Sequence, residues 1–303
     1  MKQLPSVLRL LSNRNFLLMS SIVLGMALGD AARWTSALTV PGLALAMTVS
    51  LTQVASSAFR SPRNLGRAAL VSVLLSYGVL GGLTLLLARF WSPDAELWTG
   101  FVLAAAVPPG IAVIPFSYLL GGDTAFALLG SVGAYLGSLA IMPLMAMALL
   151  GSRALQPAKL FPILIQLIIA PLLLSRILQA KALKPHVDRW RATLINWSFA
   201  LVIFTVIGLN RDLLLSQPQV VLFTAVIGAA GTFGLAYVLE RALAQLGMER
   251  SLRVTCVLMG TIKNTSLAAA TALALFSQRA AVPAAVISAV NVVYLVWLGA
   301  RDR

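Results

Sequence analysis

The chain of 303 residues contains one cysteine, one histidine and nine acidic residues. A single Cys, Cys256, excludes a disulfide framework and any zinc site of the cysteine type. The only His, His186, lies in a basic loop between apolar runs, so no histidine dyad or metal cluster can form. No Asp or Glu falls in the interior of an apolar run; Asp30 and Glu240 lie at the ends of theirs. That removes the acid–base partners an intramembrane hydrolase requires, and an enzyme is not expected. Charge of either sign is scarce at 11% of residues, against about 25% in soluble domains. The remainder is 59% hydrophobic, with a mean hydropathy of +0.92. Apolar runs long enough to cross a bilayer follow one another, and no large soluble domain fits between them. The composition predicts an all-α polytopic membrane protein embedded in a lipid bilayer. The net charge of +14 does not point to nucleic acid, because the basic residues sit in short loops between spans. Residues 1–15 are polar and basic. The first apolar run lacks a small-residue cleavage pattern and is followed at once by another, so it reads as a span and not as a removed leader.

Ten spans are predicted, at 16–30, 36–55, 66–90, 97–120, 124–150, 157–180, 191–210, 218–244, 252–277 and 281–300. Turn chemistry separates them: Ser61-Pro62-Arg63-Asn64, Ser92-Pro93-Asp94, Gly121-Gly122-Asp123, Asn210-Arg211-Asp212 and Ser216-Gln217-Pro218. Sixteen of the 23 Lys and Arg residues fall on the side of the N-terminus. Six lie opposite: Arg33, Arg89, Arg153, Lys159, Arg211 and Arg279. The positive-inside rule then predicts cytoplasmic termini in a bacterial inner membrane.

The one remaining cation is Lys263, near the centre of an apolar run from Val254 to Phe276 and about ten residues from either end. An ionisable group at that depth costs at least ~2.5 kcal/mol and marks a functional site by default. Snorkelling needs a nearby helix end, which Lys263 does not have. Around it lie Gly260, Thr261, Asn264, Thr265 and Ser266. Ten spans divide into two halves of five, so the second half enters from the opposite side, as in an inverted-topology repeat. The fourth and ninth spans then correspond. The fourth carries Pro108-Pro109-Gly110, where two residues without N–H groups cannot continue a helix. Interruptions at matching mid-membrane positions predict a transport site where the two broken spans cross. Pro-kinked spans without function are the competing explanation. Unwound carbonyls attract a cation, and the Lys263 ammonium can be that cation.

Pro108-Pro109-Gly110, followed by Ser117-Tyr118-Leu119 and Gly122-Asp123-Thr124-Ala125, resembles the fourth span of the bile acid:sodium symporter family. Lys263-Asn264-Thr265-Ser266-Leu267-Ala268-Ala269 resembles that family's ninth-span motif, of the Gln-Asn-Ser-Gly-Leu-Ala type, and Arg60-Ser61-Pro62 also fits. The resemblance implies the fold of sodium/proton antiporters. Its panel domain would hold spans 1, 2, 6 and 7 (16–55 and 157–210), and its core domain spans 3–5 and 8–10 (66–150 and 218–300). It implies a small organic anion as substrate, taken up by symport with sodium. The chain departs from the pattern where the family binds sodium. Met259 stands at the family's Glu position, Val113 and Ile114 at its Ser-Asn pair, Ala127 and Ser131 at its span-5 hydroxyls, and Lys263 at its span-9 Gln. The span-3 Gln falls near Ser76. Sodium needs several hard oxygen ligands, so it is disfavoured here, and no other cofactor is expected. The expectation is that Lys263 replaces bound sodium and that transport is proton-coupled or uncoupled. An ordinary sodium-coupled symporter and a non-transporting sensor or scaffold are the alternatives, and a monomer is compatible with all three.

The remaining polar groups divide by position. Ser117, just past the break, and Asn291, in the core spans, are expected to line the cavity. Asp123 reads as a helix cap. Tyr77, Tyr118, Tyr135, Asn196 and Thr205 read as interhelical hydrogen-bonding groups. Trp34, Trp91, Trp98, Trp190 and Trp297 read as the interfacial belt.

Overall fold

The computed structural model describes residues 13–52, 62–92, 94–110, 112–151, 162 and 165–301. Arg60, Ser61 and Ile111, most of the N-terminal basic segment, and the parts of the second and sixth predicted spans that fall at 53–55, 157–161 and 163–164 lie outside them. The described chain is helical. The elements are α1 (Arg14–Ala27), α2 (Gly29–Leu51), α3 (Leu65–Trp91), α4 (Ala95–Ala106), α5 (Val113–Leu119), α6 (Thr124–Leu150) and α7 (Ala170–Leu178). They continue as α8 (Lys184–Leu209), α9 (Arg211–Ser216), α10 (Pro218–Gln245), α11 (Arg250–Met259), α12 (Thr265–Leu275) and α13 (Gln278–Arg301). Among the described residues, six helices are long and apolar enough to cross a membrane: α2, α3, α6, α8, α10 and α13.

Side-chain caps set several helix starts. Asp94 accepts from Leu97 N at 2.9 Å at the head of α4, and Asp123 accepts from Phe126 N at 2.9 Å at the head of α6. Asp123 therefore acts as the helix cap read from the sequence. Two long helices widen locally into i→i+5 turns, α3 at Leu74–Gly81 and α10 at Ala230–Gly234. Such turns are rare and concentrate at functional sites.

Helices α1, α2, α7 and α8 pack on one another. A second group forms where α3 packs on α6 and α13 packs on α4, α10 and α12. The groups meet where α8 crosses α12 and α13. The main apolar core runs through both, from Leu43 and Met47 of α2 to the alanine-rich faces of α4 and α12. Small side chains there let backbones approach closely, which is how helices associate without a hydrophobic driving force between them.

Between spans, the head of α4 is tied to the head of α13. Arg279 Nε and one terminal nitrogen donate to Asp94 Oδ2 at 3.0 and 2.5 Å. Partial burial pushes the Asp94 carboxyl up, but the Arg279 hydrogen bond and the Leu97 N–H outweigh it and hold the pKa below the ordinary carboxylate value. A lowered pKa contributes stability above the unfolded value, ~3.9, and loses it as pH falls through the folded value. Asp94→Asn keeps a capping oxygen but not the charge. Its melting temperature should fall below the parent's at pH 6, and the gap should close only in acid below the ordinary aspartate range. A thermal-melting series against pH checks this; a pH-independent gap would assign the effect to packing.

Candidate functional site

Helix α4 stops at Ala106 because Pro108 and Pro109 follow. Val107, the residue before proline, is extended at φ −74°, ψ 154°, as the proline ring requires. Helix α11 stops at Met259, and Gly260 turns the chain away. Residues 260–264 are non-helical, and Asn264 then caps α12 by accepting from Leu267 N at 3.1 Å. The two non-helical stretches run antiparallel past each other and pair as a single β-bridge, Pro109 with Lys263. Gly110 N donates to Ile262 O at 2.8 Å, and Asn264 N donates to Pro108 O at 2.9 Å. Each stretch thus supplies backbone partners that the other lost when its helix ended, which an apolar surrounding makes obligatory. Gly110 is required by contact: a Cβ there would lie 2.8 Å from Ile262 Cγ2 and 3.0 Å from Lys263 O.

Lys263 is 6% exposed. Its Nζ donates to Ala105 O and to Val107 O, each at 2.7 Å. Both carbonyls lie at the C-terminal end of α4, where the helix dipole concentrates negative charge. The ring of Tyr77, from the widened turn of α3, lies with its centroid 4.2 Å from Nζ, within cation–π range. The ammonium is therefore enclosed by two carbonyls and an aromatic face inside the bundle. Asn264 Nδ2 donates to Tyr135 Oη at 2.9 Å, and Ser288 Oγ donates to Thr265 Oγ1 at 2.6 Å. Thr261 Oγ1 bonds back to Val257 O at 2.7 Å.

Two cavities flank the bridge. One, of about 60 Å³, lies between Leu18 of α1, Phe199 and Ile203 of α8, and a wall of Gly110, Lys263, Asn264, Thr265, Ser266 and Asn291. The other, of about 20 Å³, lies behind it among Thr84, Thr232, Thr261, Lys263, Thr265 and Asn291. Asn291 borders both, and its Oδ1 is buried without a hydrogen-bond partner.

Of the residues singled out in the sequence, Pro108, Pro109, Gly110, Thr261, Lys263, Asn264, Thr265, Ser266 and Asn291 come together here. Three lie apart. Ser117 is fully buried and pairs with Thr255 Oγ1 at 2.6 Å, tying α5 to α11 away from both cavities. Ser76 is fully buried in the wide turn of α3, and Ser131 faces a separate cavity of about 20 Å³ with Met47, Ile114 and Tyr135. Tyr77, Tyr135 and Ser288 form part of the site although sequence reasoning did not place them there. Tyrosine in an apolar span was the available signal for two of them, and it carries no address.

Of the positions aligned with sodium ligands, Met259, Val113, Ile114 and Ala127 are apolar. Met259 and Val113 are fully buried and pack with Ala127, Leu258 and Ile262 in one cluster. The Met259 methyl lies 2.4 Å from where a Cβ on Gly130 would sit, so it fills the gap between α11 and α6. Ser76 and Ser131 offer one hydroxyl each, both unpartnered. That donor set does not fit an ion that needs several oxygens in one shell. Among the described residues no group of three or more His, Cys, Asp and Glu converges.

The family model described as "Sodium Bile acid symporter family" matches residues 40–217. No curated protein matches the chain.

Proposed function

The chain belongs to the sodium bile acid symporter family, and from that premise we propose that this membrane protein is a secondary transporter of a small organic anion, independent of sodium, in which the Lys263 ammonium takes the place of the bound ion. One observation carries the reading: the two 2.7 Å hydrogen bonds from Nζ to the carbonyl end of α4. A metal ion and an ammonium serve equally to neutralise such an end, but the ammonium is covalently fixed.

On this reading α4 with α5, and α11 with α12, are the two halves of discontinuous fourth and ninth spans. The wide turns of α3 and α10 then fall in the third and eighth spans, which correspond in a five-plus-five inverted repeat. The group α1, α2, α7 and α8 is the panel, and the remaining helices form the core. The anion binds beside the bridge on the panel side, near the N-terminal end of α12, with Ser266 and Asn291 as polar contacts. A cavity of about 60 Å³ is well below the ~300–1,000 Å³ of ligand sites. Substrate therefore enters when the panel and core separate, and alternating access is that rocking motion. Coupling runs through a proton on Lys263 or is absent, and a protonophore added during uptake separates the two.

The buried, unpartnered hydroxyls of Ser72, Ser76 and Ser131 favour one second reading, a sodium-coupled symporter that completes its ion shell with backbone carbonyls. Uptake of a panel of organic anions into proteoliposomes, with choline replacing sodium, decides between them. Equal initial rates in the two buffers are expected. Uptake that vanishes without sodium would overturn the first reading and leave the second.

A further inference from the structure

A cavity of about 630 Å³, larger than the two at the bridge, lies at the end of the bundle where α10 turns into α11. Its walls are Phe233 and Tyr237 of α10, Tyr294 and Trp297 of α13, and its rim carries Arg241 and Arg250. The aromatic side is built as a unit. Phe233 meets Tyr294 edge-on at 5.0 Å and Trp297 at 5.5 Å, while Tyr294 and Trp297 stack at 6.1 Å. Tyr294 is fully buried at the base, whereas Tyr237 and Trp297 are 64% and 42% exposed. An apolar cluster of Val113, Met259, Ile262 and Tyr294 lies between this cavity and the bridge.

The rim charge is unbalanced. Glu240 also borders the cavity, but its carboxylate is engaged by Arg253 Nε at 2.8 Å. Arg241 lies over the Tyr237 ring at 5.2 Å, and neither Arg241 nor Arg250 has an ion-pair partner among the described residues. A closed pair and two guanidinium groups without a carboxylate partner among the described residues leave a positive mouth on an aromatic pocket. Guanidinium forks bind phosphate oxygens in a bidentate way, and aromatic walls of this kind sit at the headgroup level of a bilayer.

We propose that this pocket binds one anionic phospholipid, its phosphate between Arg241 and Arg250 and the start of an acyl chain against Phe233, Tyr237 and Trp297. A zwitterionic lipid brings a choline or ethanolamine cation to the same mouth and is disfavoured by it. Basic pockets between membrane helices select anionic headgroups on these grounds. The site depends on neither the ammonium at the bridge nor the transported substrate, so it stands or falls apart from the transport reading.

The test uses the purified full-length chain in neutral detergent. Thermal melting and native mass spectrometry are run with phosphatidylglycerol, with phosphatidylcholine, and with inorganic phosphate at matched ionic strength. The parent and Arg241→Gln/Arg250→Gln are compared. For the parent, phosphatidylglycerol should raise the melting temperature by roughly 3 °C or more and leave a retained lipid adduct, and phosphatidylcholine should do neither. The double variant alters two exposed side chains and should melt like the parent in phosphatidylcholine while binding phosphatidylglycerol at least tenfold more weakly. Trp297→Ala keeps both charges and should lose the adduct as well. Equal stabilisation of parent and double variant by phosphatidylglycerol would overturn the proposal. So would reproduction of the whole effect by inorganic phosphate, or a lipid-independent dimer covering the pocket.

Discussion

Lys263→Met should reduce organic-anion uptake by more than tenfold while shifting the melting temperature by only a few degrees. Methionine matches the length of the lysine stem and removes only the ammonium. The carbonyls of Ala105 and Val107 then lose their 2.7 Å donor in a site that is 6% exposed. A buried acceptor left unpaired costs about 1–3 kcal/mol, so two of them cost about 2–6 kcal/mol. The loss of a desolvated cation–π contact with Tyr77 adds up to ~2 kcal/mol. Against this, the variant no longer buries a charge, which returns several kcal/mol. The opposing terms are of similar size, so the change in stability is modest. Transport is affected more strongly, because the bridge between residues 108–110 and 262–264 is shaped around the cation. Lys263→Gln restores one donor without charge and should fall between parent and Lys263→Met. Initial rates in proteoliposomes, with melting curves on the same preparations, check the pair. Parent-like uptake by Lys263→Met would remove the ammonium from the mechanism.

Gly100→Ala should be the more damaging change to stability, although it adds one methyl and lies far from Lys263 in sequence. A Cβ on Gly100 would sit 2.2 Å from Ala280 O, 2.7 Å from Pro283 Cδ and 2.8 Å from Pro283 Cγ. A backbone oxygen and a proline ring cannot swing aside as a side-chain end can. Helix α4 must therefore move off α13, and overpacking of this kind costs about 1–3 kcal/mol or more. At 2–4 °C per kcal/mol, the melting temperature should fall by roughly 2–12 °C. Uptake should fall too, because α4 carries the carbonyls that hold Nζ and α13 carries Asn291. Gly66→Ala is the control. Nothing lies within 4 Å of a Cβ there, and alanine in an open helical position is favoured by ~0.5–1 kcal/mol. Its melting temperature should hold or rise. Equal melting of the Gly100→Ala and Gly66→Ala proteins would show that α4 and α13 do not pack as described.

Residue identity revealed the two crossing stretches of the site but not the side chains that surround them. Pro108-Pro109-Gly110 is legible because missing N–H groups and a missing Cβ act on the chain locally, wherever the segment folds. Lys263 is legible because an ammonium in an apolar run conflicts with its solvent, whatever surrounds it. Tyr77 and Tyr135 were not legible in the same way. Each is one hydroxylated ring in an apolar helix, and only the rotation of that helix decides whether it meets Lys263, Asn264 or lipid. The wide turn at Leu74–Gly81 sets that rotation for Tyr77, and no residue pattern announces an i→i+5 turn. Ser117 shows the reverse. Its position past the break suggested the cavity, yet its hydroxyl is taken by Thr255.

Composition and residue type alone determined that the described chain is built of apolar helices long enough to cross a membrane, that a helix ends before Pro108-Pro109-Gly110, and that Lys263 needs a buried partner. These follow from the cost of moving backbone and charge out of water, which is paid residue by residue. Only the tertiary structure decided what that partner is. The carbonyls of Ala105 and Val107 lie more than 150 positions away in the chain, and every residue has a carbonyl, so side-chain identity cannot select these two. Their choice rests on where α4 ends and on how closely α13, packed against Gly100, holds it to the chain around Lys263.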